Sequence, residues 1–170
     1  EDSGKDASSR CNSTINPLFP QSSLGTTIGC SGYNRLKVLE TWSAMPYRER
    51  RLYGILKEIQ YRCNRYRILK CIVDDAKILY KTVSEMKYET GDRNGKIIIV
   101  RGTKCKGLIS ACVFYACKRK DRTMSPKEIA KIFDLDYTDV TKGCKKFLKL
   151  MKYKHMSNTI KNSTSEDFII

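Results

Sequence analysis

The sequence is poor in the groups from which most catalytic and metal centres are built. It has a single histidine, His155. Its eight cysteines are Cys11, Cys30, Cys63, Cys71, Cys105, Cys112, Cys117 and Cys144, and no two of them fall in a C-x-x-C spacing. Structural zinc sites draw their ligands from such short pairs, so a metal centre in this chain has little support. No apolar run approaches the roughly 20 residues that span a bilayer, so no membrane partner is expected. The first residues lack both an initiator Met and an apolar signal core, and the chain reads as an excised or processed piece of something longer.

Negative charge is scarce as well. Asp and Glu number 18 against 33 Lys and Arg, a formal net charge of +15 over 170 residues. Such an excess opposes compaction and favours polyanionic partners. Four of the cysteines stand in apolar or small-residue helical surroundings, where a thiol behaves as a small hydrophobe. Reduced, buried thiols in a reducing compartment are expected.

Catalytic arrangements are missing too. Asp74 and Asp75 are adjacent and diverge on a helix; Glu85 and Glu89 lie on a polar helix end; His155 follows the last helix in a polar tail. A nucleophile needs a base beside it, and no glycine segment follows a phosphate-loop pattern. Neither an enzyme nor a small-molecule substrate is expected.

Residues 1–15 are polar and aperiodic, the pattern of a disordered lead. Residues 16–45 mix Pro17, Pro20, Gly25, Gly29 and Gly32 with Leu18, Phe19, Leu24 and Ile28. This reads as an extended arm that either docks into a partner's groove or packs on the domain. From Pro46 the pattern turns helical, with Leu52, Ile55, Leu56 and Ile59 on one face. Ile68, Ile72, Ala76, Leu79, Val83 and Met86 mark a second helix. After turn formers at 91–95, the β-branched run 97–100 is either a strand or an apolar plug.

The third helix, about 104–118, is apolar or small on nearly every side, as suits the centre of a bundle. Gly107 in its interior costs about 1 kcal/mol relative to Ala and therefore needs a packing reason. Ser125-Pro126-Lys127-Glu128 forms a capping box that opens a short helix bearing Ile129, Ala130, Ile132 and Phe133. A turn at 134–137 leads to a last helix, about 138–152, whose apolar stripe is Val140, Cys144, Phe147, Leu148 and Met151. The fold class is thus all-α: five helices over 46–155, preceded by an extended, partly disordered arm and followed by a linker-like segment, 156–170.

Two basic constellations stand out. The loop before the third helix carries Arg93, Lys96, Arg101, Lys104 and Lys106 around Gly95 and Gly102, a composition fit for a phosphate backbone and also common in a chain this cationic. The last two helices form a helix-turn-helix pair whose second member presents Lys142, Lys145, Lys146, Lys149 and Lys152. That row is either a DNA-reading face or a solvated basic one.

With these elements in place the sequence resembles the general transcription factor IIB family. The stretches that carry the resemblance are Arg101-Gly102, the run Leu108-Ile-Ser-Ala-Cys-Val-Phe-Tyr-Ala-Cys117, Ser125-Pro-Lys-Glu-Ile129 and Thr138-Asp-Val-Thr-Lys-Gly-Cys-Lys145. They look like the third to fifth helices of the family's first cyclin-like repeat. Asn16-Pro17-Leu18 followed by Leu24-Gly25-Thr26-Thr27-Ile28-Gly29 looks like the family's B-reader, and the stretch from Trp42 to Arg51 like its B-linker. Thr164-Ser-Glu-Asp-Phe168 resembles the opening of a second repeat.

The resemblance implies bridging rather than catalysis. The repeat would contact TATA-binding protein and promoter DNA, with Arg101, Gly102, Thr103, Lys104 and Lys106 matching the loop at the downstream DNA element. The position after Gly102 is Thr103 where a family member has Arg, which bears on base readout there. The arm would enter a multisubunit RNA polymerase and aid DNA opening and start-site selection through Asn16, Pro17, Leu18, Leu24, Gly25, Thr26, Ile28 and Gly29, with Arg48, Arg50 and Arg51 matching the linker's basic stretch. No cofactor is implied for this chain; the family's zinc ribbon belongs to an amino-terminal part absent from it, as is nearly all of the second repeat. The Lys/Ile/Asn/Tyr-rich composition fits a large DNA virus or another divergent lineage, and hence the nucleus or a cytoplasmic virus factory. Two other readings stay open: another cyclin-box protein, such as a kinase-activating cyclin or a Brf-type factor serving a different polymerase, and a stand-alone helix-turn-helix repressor, which leaves the arm unexplained.

Overall fold

In a computed structural model of the chain, residues 16–22, 35–88, 92 and 94–153 are described. Six helices occur among them: α1 (Arg35–Ala44), α2 (Tyr47–Arg65), α3 (Lys70–Ser84), α4 (Thr103–Arg119), α5 (Pro126–Phe133) and α6 (Tyr137–Tyr153). The all-α expectation is met, and the five helices read from Pro46 onward are α2 to α6. The leads expected to be disordered or linker-like, 1–15 and 156–170, lie outside the described residues. The chain divides into two compact units, Glu1–Ile55 and Leu56–Ile170.

In the first unit the sequence reading needs a correction, because the arm is not extended throughout: residues 35–44 form α1. No proline or glycine interrupts the run between Gly32 and Pro46, and Leu36, Leu39, Glu40 and Ala44 are good helix formers. The helix stops where Met45 precedes Pro46, since proline disfavours helical backbone in the residue before it. Arg50 then covers the frayed carbonyls, its Nη2 donating to the oxygens of Trp42 at 2.6 Å and Met45 at 3.1 Å. Its guanidinium also lies over the Trp42 ring, 5.0 Å from the centroid. Pro46 sits just ahead of α2, where its carbonyl accepts the first intrahelical bond from the amide of Arg50 at 2.9 Å.

The second unit is organised by α4. Eleven of its residues from Cys105 to Cys117 are buried, and α3, α5 and α6 pack around it. Ser110, wholly buried, donates from its hydroxyl to the carbonyl of Gly107 at 2.8 Å, so the polar group is satisfied within the helix. One turn farther on, Tyr115 stacks on Phe147 of α6, centroids 4.6 Å apart and planes within 15°. α3 turns Ile72, Val73, Ala76, Leu79, Tyr80 and Val83 into the core. The carboxyl-terminal half of α2 contributes Leu56, Ile59 and Cys63.

The run 97–100 is neither of the two elements its composition allows. It makes one isolated antiparallel bridge, Lys87 to Ile97, and Ile99 is 60 % exposed. No strand occurs among the described residues. A second correction concerns α6: Leu148 is exposed, and Leu150 takes its place in the core. The two leucines flank the apolar stripe symmetrically by helical periodicity. The close approach of α4 at Gly143 rotates the buried face to the Gly143–Phe147–Leu150 side.

Helix α5 begins as its sequence predicts. Ser125 Oγ accepts from the amide of Glu128 at 3.2 Å, and Glu128 Oε2 accepts from the amide of Ser125 at 2.7 Å. It ends on Asp134 in the left-handed conformation, φ 51°. Arg62 of α2 fastens that end: Nη1 donates to Asp134 Oδ2 at 2.7 Å and to the Ile132 carbonyl at 3.1 Å, while Nε donates to Glu58 at 3.0 Å. The hydrogen bond to Asp134, above all, raises the Arg62 pKa further.

Candidate nucleic-acid interface

The basic loop and the lysine row of α6 are far apart in sequence, and one crossing brings them together. A Cβ built on Gly107 lies 2.7 Å from the Asp139 carbonyl oxygen and 3.7 Å from the Cα of Gly143. One built on Gly143 collides with the carbonyl of Gly107. Both glycines are therefore required by the approach of two helix backbones, which supplies the packing reason that Gly107 demanded. Lys106 and Lys142 each precede one of these glycines and are both exposed. The two cationic clusters thus flank a single crossing.

Gly102 opens α4 at φ +63°, ψ −146°, a conformation closed to other residues, and no side chain caps the helix there. Arg101, Gly102, Thr103, Lys104 and Lys106 are all exposed around that start. On α6, Lys142, Lys145 and Lys149 are exposed and Lys146 is half-buried; the side chain of Lys152 lies outside the described residues, as does Arg93. Lys142 is 3.7 Å from Asp139, an exposed contact of small energetic weight. No carboxylate among the described residues pairs with Arg101, Lys104, Lys106, Lys145, Lys146 or Lys149. Five acids are engaged elsewhere: Glu58 and Asp134 with Arg62, Asp74 with Lys77, Asp75 with Lys120, Glu85 with Lys81. The crossing is left as a concentration of uncompensated positive charge, suited to phosphates.

The start of the arm is built differently. Asn16 Oδ1 accepts from the amide of Leu18 at 2.9 Å and its carbonyl from the amide of Phe19 at 2.9 Å, folding Pro17 and Leu18 into a tight turn. Glu49, only 8 % exposed, accepts from the amide of Gln21 at 3.0 Å through Oε1 and from that of Ser22 at 2.9 Å through Oε2. Phe19 meets Tyr53 edge-on, centroids 5.7 Å apart. Sequence reasoning passed over Glu49, yet a lone acid among Arg48, Arg50 and Arg51 in the first turn of a helix was a visible signal. Arg48 and Arg51 are exposed, whereas Arg50 is turned inward onto α1. Leu24, Gly25, Thr26, Ile28 and Gly29 lie outside the described residues, and so do His155 and the 164–168 motif.

The thiols are poorly set for metal or nucleophilic work. Cys63, Cys105, Cys112 and Cys117 are buried, Cys144 is half-buried and Cys71 exposed. Burial pushes Cys63 up to about 12 and Cys117 and Cys144 up to about 11, and drives Cys112 higher still. Thiols held this way stay protonated and unreactive at neutral pH. Cys11 and Cys30 lie outside the described residues. No three His, Cys, Asp or Glu side chains gather as a metal-holding group among the described residues, and no helix there is long and apolar enough to cross a membrane.

No family model matches the chain. It is 37 % identical over 164 residues, 94 % of its length, to a putative transcription initiation factor IIB-like protein of Acanthamoeba polyphaga mimivirus, of which it covers 36 %. It is 25 % identical over 170 residues to transcription initiation factor IIB of Dictyostelium discoideum, covering 99 % of the chain and 48 % of that protein. With the Schizosaccharomyces pombe protein of the same name it shares 31 % identity over 115 residues, 65 % of the chain and 30 % of the relative. The chain spans less than half the length of these relatives. The likeness runs through both the arm and the helical repeat, and the chain is a homologue of the transcription initiation factors IIB.

Proposed function

We propose that the chain is the arm and first cyclin-like repeat of an initiation factor that bridges promoter DNA, with its TATA-binding protein, to a multisubunit RNA polymerase. The observation that carries this reading is the α4–α6 crossing, where Arg101, Lys104, Lys106 and Lys142 surround two backbone-apposed glycines. Phosphates on either side of the crossing would be neutralised by Arg101, Lys104 and Lys106, which pair with no carboxylate among the described residues, and by Lys142, whose contact with Asp139 is exposed and weak. Thr103 offers only a hydroxyl where a family member offers a guanidinium, so the loop would grip the backbone more than read bases. The arm, docked at its start on Glu49, would enter the polymerase and assist opening and start-site choice. The whole acts by binding, with a zinc ribbon and a second repeat supplied by further segments of a longer protein. The mimivirus relative favours a large DNA virus as the setting, and a nucleus or virus factory as the place of action.

Two measurements test this. Capture of polymerase and TATA-binding protein is compared for the chain with and without residues 16–45; polymerase capture that does not depend on the arm removes the arm's assignment. Duplex binding is then titrated against salt for Arg101→Glu with Lys104→Glu. Loss of these phosphate contacts flattens the dependence of log affinity on log salt by roughly one for each phosphate lost. An unchanged slope removes the loop from the interface.

A further inference from the structure

The surface of α2 in the second unit carries a combination that neither the core nor the crossing uses. Lys57, Tyr61 and Arg65 stand one turn apart, about 6 Å, on the face opposite buried Leu56, Ile59 and Cys63. Tyr61 is 70 % exposed, a large ring left in water with no packing role. Just beyond the helix, Tyr66 is 46 % exposed, and its hydroxyl donates to the carbonyl of Lys131 on α5 at 3.3 Å. That bond fixes the ring while leaving its face open. Arg67 follows in the left-handed conformation, φ 55°, and is exposed, as is Lys131.

The charges here are uncompensated for a structural reason. Arg62 draws Glu58 and Asp134 to itself, so the two nearest carboxylates are taken up. Glu128 of α5 is engaged in the capping box. Lys57, Arg65, Arg67 and Lys131 have no carboxylate partner among the described residues. A surface that interleaves open aromatic faces with free cations fits a ligand with both planar rings and regular negative charge. Duplex DNA hides its rings in the stack, and an acidic peptide has few; a single strand offers both. We propose that this α2–α5 surface, Lys57, Tyr61, Arg65, Tyr66, Arg67 and Lys131, binds single-stranded nucleic acid by stacking bases on the two tyrosines and neutralising phosphates with the four cations.

The test uses the full chain and fluorescence anisotropy with a labelled oligothymidylate of about twelve nucleotides, within the site sizes of known single-strand binders. An abasic strand of the same charge and poly-glutamate serve as comparison ligands. The expected result is that oligothymidylate binds more tightly than the abasic strand. Tyr61→Ala should weaken oligothymidylate roughly fivefold or more, as loss of one stacked base predicts. Tyr61→Phe should restore it, and neither variant should change the abasic strand's affinity. Tyr61 is exposed, so its replacement leaves the fold intact; adding Tyr66→Ala deepens the loss. Equal affinity for abasic and thymidylate strands overturns the proposal. So does Tyr61→Ala binding as the parent does, and so does poly-glutamate competing charge for charge, which would make this an acidic-protein surface. The variant Arg101→Glu with Lys104→Glu retains the thymidylate preference if the surface is separate from the promoter interface, so the failure of one reading leaves the other standing.

Discussion

Gly107 of α4 and Gly143 of α6 meet backbone to backbone: the carbonyl of Gly107 fills the space where Gly143 would carry a side chain, and the carbonyl of Asp139, one turn before Gly143, fills that of Gly107. Nothing softer than main chain lies in the way. Neither position can accept even a methyl group without parting the helices. Gly143→Ala is expected to lower stability by about 1–3 kcal/mol, as overpacking does, with Gly107→Ala similar. Gly54 provides the opposite sign: it is exposed within α2 with nothing within 4 Å, so Gly54→Ala should raise stability by up to about 1 kcal/mol. Urea midpoints of the three variants decide; equal effects at all three sites would refute the crossing.

Gly102 distinguishes strain from crowding. A Cβ there meets nothing within 4 Å, yet the backbone sits at φ +63°. Gly102→Ala should cost about 1–3 kcal/mol through conformation alone. Gly102→Asn should cost as much, because asparagine's tolerance of positive φ belongs to the left-handed helical region and ψ here is −146°. Thermal melts in which either variant matches the parent would contradict this.

Glu49 predicts a local effect. Hydrogen bonds to a charged acceptor contribute about 1.5–3 kcal/mol each, so Glu49→Ala should release the 16–22 turn. Amide exchange at Gln21 and Ser22 is expected to speed by at least about tenfold, with the α4 amides unchanged. Glu49→Gln keeps one acceptor and should fall between. Unaltered exchange at both amides would mean that the carboxylate does not hold the turn.

The buried thiols set an alkaline limit. The ordinary thiol value is 9.0, and burial raises Cys63 to about 12 and Cys117 and Cys144 to about 11. Above pH 9 the unfolded chain releases these protons while the folded chain keeps them, so the folded state binds more protons and stability falls as pH rises. Stability contributed by the neutral thiols is complete below pH 9 and is lost progressively between 9 and about 12. Melts at pH 8 and pH 10 in reducing buffer should differ, and Cys63→Ala with Cys117→Ala should narrow that difference. A flat profile would argue that these thiols are not buried in solution.

What could be read from the chain depended on the range of the force at work. Helix α4 was legible because an all-round apolar face leaves only one place for it, and α5 because its capping box is written in four consecutive residues. Helix α1 was not, since Leu36, Leu39 and Trp42 remain exposed and form no stripe that periodicity detects. Leu148 and Leu150 are equivalent by helical period, and only the neighbour at Gly143 separates them. The cationic loop and the lysine row were each visible, but their adjacency was not. It arises from contact between two glycines, residues that carry no side-chain signal at all. The clasp of Glu49 on two backbone amides more than 25 residues away lies beyond any local pattern.

The fastening of Ser22 by Glu49, together with Arg50's hold on the end of α1, has a consequence for tethering. Glu49 and Arg50 are consecutive residues in the first turn of α2, so the 16–22 turn and the end of α1 hang on the same piece of helix. Unwinding that one turn would release both together, which makes the start of α2 a single release point for the amino-terminal unit.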